Sequence, residues 1–267
     1  MKLDNYRIIE GQHLKLSELS TEATDKTSKE EAAVRKAALQ LQLFNLQERL
    51  FAEDQQSLLV VLQTRDAGGK DGTIKHVFTG LNPQGVRVTG FKEPTELEQR
   101  HDFLWRVHAH TPETGMISIF NRSYYEDVLV TRVHGEIGKK DTEQRFEQIR
   151  AFEKALESRG TRIIKFYLNI SSDEQKKRFQ DRLDNPEKHW KFSQNDLNER
   201  KFWKEYTLAY EEAITATSTA TAPWYVIPAD QKWFRNDLVL QILLKTLEEM
   251  NPQFPVVDFD PKSIVID

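Results

Sequence analysis

The chain contains, at residues 59–73, the stretch Leu59-Val60-Val61-Leu62-Gln63-Thr64-Arg65-Asp66-Ala67-Gly68-Gly69-Lys70-Asp71-Gly72-Thr73. Its first part is a short apolar run of the kind that forms a buried strand, and its second part is a glycine-rich turn followed by a helical pattern. In such a turn, successive backbone N–H groups face an anion and the helix N-terminus lies behind it, while a lysine neutralises phosphate oxygens as a point charge. We therefore expect Gly68, Gly69 and Lys70 to form a phosphate-binding loop.

This loop departs from the strict pattern GxxxxGK[ST]. The first glycine of that pattern would fall at Thr64, and Asp71 stands where a hydroxyl side chain normally follows the lysine. A plain strand-to-helix turn is the alternative interpretation. The position of the turn directly after a buried-strand pattern favours phosphate binding.

The composition limits the class of protein. A length of 267 residues suits one large α/β domain, and the formal net charge of −4 argues against a dedicated binder of duplex DNA, so no nucleic-acid partner is expected. The absence of cysteine excludes disulfides and thiolate metal sites. Residues 1–10 lack the apolar core of a signal peptide, and no stretch is long enough for a membrane span. We expect a cytoplasmic protein without a membrane partner.

Strand patterns alternate with helical patterns, which predicts a parallel sheet covered by helices on both faces. We therefore expect an α/β protein of the three-layer α/β/α type with a central parallel five-stranded sheet. The five expected strands lie at 58–63, 85–90, 116–120, 161–169 and 224–227.

The same patterns suggest how the chain is divided. Residues 1–27 are polar and are expected to form an arm on the surface or on a partner subunit, residues 28–250 form the main domain, and residues 251–267 form an extended tail. A long helix follows the capping box at Ser28 and suggests subunit contacts. Another helix is expected from Pro94 to about residue 109.

A second polar group, Asn121-Arg122-Ser123, follows the strand pattern at 116–120. Open α/β sheets bind ligands at the carboxyl ends of their strands. We therefore expect Asn121 and Arg122 beside the phosphate loop. Arg122 could instead pair with Glu126, one helical turn later.

Residues 176–204 carry nine Lys or Arg against five acids, interleaved with tryptophan and phenylalanine. One interpretation is a solvated helical face. Phosphoryl-transfer enzymes, however, need cations that close over the transferring group, because negative charge spreads over its equatorial oxygens. Given the phosphate loop, we expect a helical lid at about 178–204, with Arg178 and Arg182 contacting phosphate from the lid side.

Several motifs together resemble the polyphosphate kinase 2 family. They are the loop at 63–72, Phe120-Asn121-Arg122-Ser123-x-Tyr125-Glu126-Asp127-Val128-Leu129-Val130, Trp190-Lys191-Phe192-Ser193-x-x-Asp196-Leu197, Ala222-Pro223-Trp224 and Asp230-x-Lys232. The resemblance covers about residues 30–250. It implies a P-loop-kinase-like fold with a helical lid. It also implies reversible transfer of a terminal phosphoryl group between inorganic polyphosphate and the adenine nucleotides AMP, ADP and ATP, with Mg²⁺ or Mn²⁺.

The charges and donor atoms of the side chains suggest which residues act. Lys70 would hold phosphate, while Asp66 would orient the accepting phosphate and hold the metal together with Asn121. A mere helix cap is the alternative role for Asp66. The further candidates for nucleotide or phosphate contact are Arg65, Ala67, Gly68, Gly69, Asp71, Gly72, Thr73, Lys75, Glu126, Asp127 and Lys191. A homo-oligomer, either dimer or tetramer, is expected.

Asn121 is the main departure from the family pattern, because many members carry Asp there. Asn at this position, followed by Tyr-Glu-Asp-Val-Leu at 125–129, resembles the subgroup that phosphorylates both AMP and ADP. An ATP-dependent nucleoside monophosphate kinase would use the same loop and lid, although the long cationic segment favours a longer polyanion. A non-enzymatic sensor of nucleotide or polyphosphate would fit the loss of the carboxylate.

Overall fold

A computed structural model describes residues 2–260, 263–264 and 266 of the chain. These residues contain a six-stranded sheet. Its strands are β1 (Arg7–Ile8), β2 (Ser57–Gln63), β3 (Val86–Gly90), β4 (Ile117–Asn121), β5 (Thr161–Asn169) and β6 (Trp224–Pro228). They lie in the order β1-β6-β5-β2-β4-β3, and all neighbours are parallel except β1 and β6.

Nine α-helices occur in the described part of the chain. They are α1 (Lys29–Glu53), α2 (Lys70–Val77), α3 (Trp105–His108), α4 (Glu126–Val133), α5 (Lys139–Glu157), α6 (Ser172–Asp184), α7 (Gln194–Glu199), α8 (Trp203–Thr217) and α9 (Lys232–Met250). Short 3₁₀ helices lie at Leu3–Tyr6, Leu16–Glu18, Pro83–Gly85, Glu98–Arg100, Pro186–Lys191 and Arg200–Phe202. Each of the nine is too short or too polar to cross a membrane.

The helices cover both faces of the sheet. Helices α1, α2 and α9 bury one apolar cluster, which includes Leu43 and Phe234. Helices α4, α5 and α8 bury the other, which includes Ile149 and Ile214. The central strand β2 is buried along its whole length, as a continuous apolar run in a parallel sheet requires. The predicted three-layer α/β/α arrangement is confirmed.

The predicted number of strands is wrong by one. The additional strand, β1, comes from the N-terminal arm and pairs antiparallel with β6 at the sheet edge. A two-residue strand has too few residues to show a period-two pattern, so the sequence carried no signal for it. Tyr6, Leu14 and Leu16 of the arm are also buried, and the Leu16 N–H donates to Glu211 Oε1 at 2.7 Å. The arm thus packs on its own chain.

The prediction of one helix over 94–109 is also wrong. The segment contains only a 3₁₀ turn at Glu98–Arg100 and the single turn α3. Within it only Arg106 and Val107 are buried, so a helix would have no apolar face to pack against the core. At the C-terminus, residues 251–257 follow α9 without regular structure. Positions 261, 262, 265 and 267 of the expected tail and Met1 of the arm lie outside the described residues.

Candidate active site

The glycine-rich turn between β2 and α2 has the geometry of an anion-binding loop. Ala67 and Gly69 adopt left-handed backbone conformations with φ of 57° and 107°. Left-handed residues in such a turn direct neighbouring N–H groups towards one point. Within the described residues, the N–H groups of Lys70, Asp71 and Gly72 donate to no protein acceptor. These are the free donors of a helix N-terminus, and they are available to a phosphate.

Two close approaches explain why glycine is required in this loop. A Cβ atom on Gly68 would lie 1.9 Å from Thr64 Oγ1, and one on Gly69 would lie 2.0 Å from Nη1 of Arg235. Neither site has room for a methyl group. The loop is therefore packed tightly against the structure beneath it.

Lys70 is half-buried at the start of α2. Its Nζ makes one long hydrogen bond, 3.4 Å to the carbonyl oxygen of Thr64. Burial lowers the pKa of Lys70, and the neighbouring Arg122 lowers it further, while Asp66 and Glu126 act in the opposite direction. An ammonium group with few protein partners in this position keeps donors available for phosphate oxygens.

The end of β4 brings the second polar group next to this loop. Strand register places Asn121 opposite Leu62, and Asn121 Nδ2 donates to Asp71 Oδ1 at 2.8 Å. Arg122 has a left-handed backbone with φ of 63°, and its Nη2 donates to Asp66 Oδ1 at 2.9 Å. The two polar groups meet at one edge of the sheet, as the sequence predicted.

The two alternative roles considered for these residues do not hold. Helix α2 starts without a side-chain cap, so Asp66 is not its cap. Arg122 forms its hydrogen-bonded ion pair with Asp66 rather than with Glu126. Glu126 nevertheless lies close by: burial raises its pKa, and the positive charges of Arg122 and Lys70 oppose that rise.

Oxygen ligands suitable for Mg²⁺ lie at the loop. The described residues contain no cluster of three His, Cys, Asp or Glu that would hold a metal alone. Mg²⁺ is usually held by one or two carboxylates, with phosphates and waters completing its shell. The carboxylates of Asp66 and Asp71 fit this requirement, as does Oδ1 of Asn121, whose amide nitrogen is already engaged by Asp71. The donor set fits a metal that is bound together with a phosphate substrate.

A cleft of about 1120 Å³ opens from this edge of the sheet. Its volume is enough for a nucleotide. The sequence-predicted residues that line it are Arg65, Asp66, Arg122, Glu126 and Asp127. The described lining does not include Lys70, Asp71 or Asn121, although Lys70 Nζ donates to the carbonyl oxygen of Thr64, which lines the cleft.

The cleft is also lined by polar and aromatic residues that were not predicted as site residues from sequence, among them Arg106, Arg145, Arg200, Trp203 and Tyr206. Arg145 Nη1 donates to the carbonyl oxygen of Asp127 at 2.6 Å, and Arg200 Nη1 donates to Gln175 Oε1 at 2.7 Å. Arg145 and Arg200 each lie in a segment with many charged residues. In such a segment, no local sequence signal distinguishes an arginine that faces the cleft from one that faces solvent. Trp203 was noted in the basic segment, and here its ring lies 3.9 Å from the Arg65 guanidinium.

Several predicted phosphate contacts lie away from the cleft. Lys75 is exposed on α2, and Lys191 is exposed with its Nζ 4.8 Å from the Trp190 ring. Thr73 is fully buried, and its hydroxyl has no partner among the described residues. Arg182 donates to the Lys191 carbonyl at 2.9 Å and to Asp196 at 3.1 Å, so it ties together the predicted lid segment.

The contacts of Arg178 differ from those predicted. Its Nη1 donates to the carbonyl oxygens of Ala67 and Gly68, both at 3.0 Å, and its Nη2 donates to that of Ala229 at 2.6 Å. Its Nε pairs with Glu174 at 2.8 Å, and the side chain is buried. The expectation that Arg178 contacts phosphate from the lid side is therefore wrong. It lies beneath the loop and turns the loop carbonyls inward, which leaves the N–H groups outward.

Asp127 provides a test of the electrostatics of the cleft. Burial raises the pKa of Asp127 to about 6, although Arg106 and Arg145 act in the opposite direction. Its Oδ2 is buried without a hydrogen-bond partner among the described residues. Since the folded chain holds this proton more tightly than the unfolded chain, the charged form costs stability, and the cost develops as the pH rises from about 4 to about 6.

Asp127→Asn removes this charge. We expect it to raise the free energy of unfolding at pH 7 by at most about 3 kcal/mol, with the gain shrinking as the pH is lowered from about 6 towards 4. Urea unfolding at a series of pH values measures the effect. A gain that is the same at all pH values, or a loss at pH 7, would contradict this account of Asp127.

Comparison with known proteins agrees with the geometry. Residues 26–255 match the polyphosphate kinase 2 family. The AMP/ADP-polyphosphate phosphotransferase of Meiothermus ruber is 54% identical over 231 residues, covering 86% of this chain and 86% of that protein. The ADP-polyphosphate phosphotransferase of Rhodopseudomonas palustris is 41% identical over 268 aligned residues, covering 96% of this chain and 93% of that protein.

A solved structure of this family has the same fold. The crystal structure of polyphosphate kinase 2 from Arthrobacter aurescens superposes with a TM-score of 0.94 at 43% identity, covering 97% of this chain and 93% of that one. The sequence match and the structural match both extend over most of the chain, and both include the phosphate loop and the end of β4. The chain belongs to the polyphosphate kinase 2 family.

Proposed function

We propose that this chain transfers the terminal phosphoryl group of inorganic polyphosphate to AMP and to ADP, giving ADP and ATP, and that the transfer is reversible. One observation carries the proposal. A phosphate loop with free N–H groups and a half-buried lysine adjoins the Asp66–Arg122 pair, which lines a cleft large enough for a nucleotide. The names of the relatives from Meiothermus ruber and Rhodopseudomonas palustris support the choice of substrates.

The chemistry asks for positioning rather than for a strong base. A nucleotide phosphate is already anionic, so the attacking oxygen needs no deprotonation. Lys70 and the loop N–H groups would hold the donor phosphates, and Arg122 would neutralise charge that develops on the transferring group. Asp66 would orient the accepting phosphate. Together these groups bring two polyanions into line despite their mutual repulsion.

A divalent cation belongs to this proposal. Asp66, Asp71 and Asn121 would hold Mg²⁺, or Mn²⁺ in its place. When bound, the ion would neutralise phosphate charge. Removal of the metal with a chelator should abolish turnover, and addition of Mg²⁺ should restore it.

A donor-swap assay tests the function directly. The protein is mixed with Mg²⁺ and long-chain polyphosphate, and then with AMP or ADP, and the nucleotides are resolved by anion-exchange chromatography. AMP should give ADP first and ATP later. If ATP replaces polyphosphate as the only effective donor, the chain is a nucleoside monophosphate kinase. If neither donor gives product, the sensor hypothesis applies.

Asn121 offers a prediction on the choice of acceptor. Asn121→Asp would place a carboxylate beside the Asp71 carboxylate, which now accepts the amide hydrogen bond at 2.8 Å. The added negative charge should repel the acceptor carrying more phosphates and increase the need for Mg²⁺. We expect the ratio of AMP to ADP turnover to change by about tenfold.

The matched control is Asn121→Ala, which removes the amide without adding charge. It should change the ratio less than the Asp variant does. The ratio is measured under initial-rate conditions at several Mg²⁺ concentrations. If the Asp variant and the native protein have the same ratio, Asn121 does not help to set acceptor choice.

We also propose that the chain is a cytoplasmic homo-oligomer, a dimer or tetramer, and that residues 178–204 act as a lid. Val34 and Leu41 on the outer side of α1 are 83% and 62% exposed, which supports a subunit contact along that helix. Analytical ultracentrifugation tests the assembly, and cell fractionation tests the location. Hydrogen exchange of residues 178–204 with and without polyphosphate tests the lid.

A further inference from the structure

Arg235, on α9, is a buried cation without a counter-ion. It is 2% exposed, and among the described residues no carboxylate lies within ion-pair distance of it. Its Nη1 donates to the Gly68 carbonyl at 3.2 Å, and its Nε and Nη2 share Oδ1 of Asn236 at 3.1 and 2.9 Å. Burial, followed by the nearby charge of Arg178, lowers the pKa of Arg235 to about 9. The side chain is thus charged at neutral pH but poorly compensated.

Two other buried cations of this fold are paired with carboxylates. Lys165, which is fully buried, pairs with Glu153 at 2.6 Å. Arg178, which is also buried, pairs with Glu174 at 2.8 Å. Proteins normally pair buried charges because an isolated one is costly to desolvate. Arg235 is therefore unusual in having no carboxylate partner among the described residues.

Arg235 lies next to the glycines of the phosphate loop. A Cβ atom on Gly69 would lie 2.0 Å from its Nη1, and one on Gly72 would lie 3.4 Å from its Nη2. The guanidinium therefore lies directly beneath the phosphate loop and the first turn of α2. An anion on the outer side of this loop would be separated from Arg235 by a single layer of backbone. At such short distances, and with little water between them, the attraction between opposite charges is strong.

We propose that Arg235 binds phosphate from beneath the loop without touching it, and that the anion held by the loop is its missing counter-ion. Arg235 is thus a positioning residue: it holds the Gly68 carbonyl turned inward and adds a permanent positive charge behind the free N–H groups. The inference rests on the proposed function only in that the anion is taken to be a polyphosphate.

This role predicts an unusual combination of effects. An ordinary buried structural arginine stabilises the fold, so its removal lowers stability and activity together. Arg235 instead costs stability in the empty protein and adds affinity in the loaded one. Arg235→Met, which keeps much of the side-chain length, should leave the thermal midpoint of the ligand-free protein unchanged or raised. It should weaken tripolyphosphate binding roughly 10- to 100-fold.

The experiment uses isothermal titration calorimetry with sodium tripolyphosphate, together with thermal unfolding of the full chain without ligand. Three variants separate charge from hydrogen bonding. Arg235→Lys keeps the charge and should stay within a few-fold of native affinity, whereas Arg235→Gln keeps a donor for Gly68 and should bind almost as weakly as the Met variant. The salt dependence of binding should also become shallower in the two neutral variants.

The matched control is Arg35→Met. Arg35 forms an ion pair with Asp237, which lies on α9 two residues from Arg235 but faces away from the loop. Removing Arg35 leaves the buried Asp237 unpaired, so this variant should be less stable while its tripolyphosphate affinity stays native. Arg235→Met and Arg35→Met should therefore have opposite effects on stability and on affinity.

Unchanged affinity of Arg235→Met for tripolyphosphate would overturn the inference, as would equal affinity of the Lys and Gln variants. If the Met variant folds but its thermal midpoint falls as far as that of Arg35→Met, the inference is also overturned. If the Met variant fails to fold, the comparison of Lys with Gln decides. The binding measurement does not depend on turnover, so a protein that binds tripolyphosphate through Arg235 but phosphorylates no nucleotide would contradict the proposed function alone.

Discussion

Lys70→Ala is expected to lower turnover by at least about a hundredfold while the fold survives, because removal of one preorganised charge partner from a water-poor site commonly has an effect of this size. Lys70 is half-buried at the start of α2, and within the described residues the only hydrogen bond of its Nζ is the long one to the Thr64 carbonyl. Since its charged form is already disfavoured by burial, its loss should not destabilise the chain. Initial rates with polyphosphate and ADP measure the effect, and circular dichroism checks the fold.

Lys245→Ala is the matched control for this variant. Lys245 lies on α9 and pairs with Asp4 and Glu249, far from the loop. Its replacement removes one lysine and should leave turnover within about twofold of native, as for a typical exposed ion pair. If a well-folded Lys70→Ala protein retains more than a tenth of native turnover, the proposal that Lys70 binds phosphate is wrong.

Asp66→Ala should have an effect of similar size, roughly a hundredfold or more. In the structure, Asp66 Oδ1 accepts a hydrogen bond from Arg122 at 2.9 Å, and the Asp66 carbonyl accepts one from Gln175 at 2.9 Å. The Ala variant loses both the proposed metal ligand and the partner that orients Arg122. The Mg²⁺ concentration that gives half-maximal rate should rise in parallel with the loss of turnover.

Asp66→Asn separates the two roles of this side chain. It retains an oxygen that accepts from Arg122, but it lacks the negative charge. If Asp66 holds metal or orients the accepting phosphate by charge, Asn should be nearly as inactive as Ala. Near-native turnover in the Asn variant would mean that Asp66 only orients Arg122. Asp181→Asn, in which an exposed partner of Lys188 is neutralised, is the control and should retain activity.

Helices and strands could be predicted from the sequence where neighbouring residues carried the signal. The strand at 161–169 was predicted with the bounds that β5 has, because five of its nine residues are β-branched or aromatic, as is typical of a strand buried on both faces. The helix behind the Ser28 capping box was likewise predicted, and both hydrogen bonds of the box are present. The segment at 94–109 failed because its helical pattern had no apolar face to bury.

The candidate site could be predicted where its signal was local in sequence, and not elsewhere. The neighbourhood of Lys70, Asp66 and Arg122 was predictable, since parallel strands place their carboxyl ends together and both polar groups directly follow a strand. The proposed choice of AMP and ADP rests on Asn121 with the motif at 125–129, and on the names of the relatives. What Asn121 contacts was not predictable: its amide donates to Asp71, the residue that replaces the usual hydroxyl after the lysine.

The sequence alone determined the phosphate loop, the parallel sheet and the family, because periodicity and turn chemistry are properties of neighbouring residues. Tertiary structure alone decided what lies beneath the loop. Arg178 and Arg235 reach the Gly68 carbonyl across 110 and 167 positions of sequence. Whether an arginine in a charged helix faces solvent, closes over a ligand or supports a loop depends on which element packs against it. That choice is made by the burial of side chains distant in sequence, and so it appears only when the chain is folded.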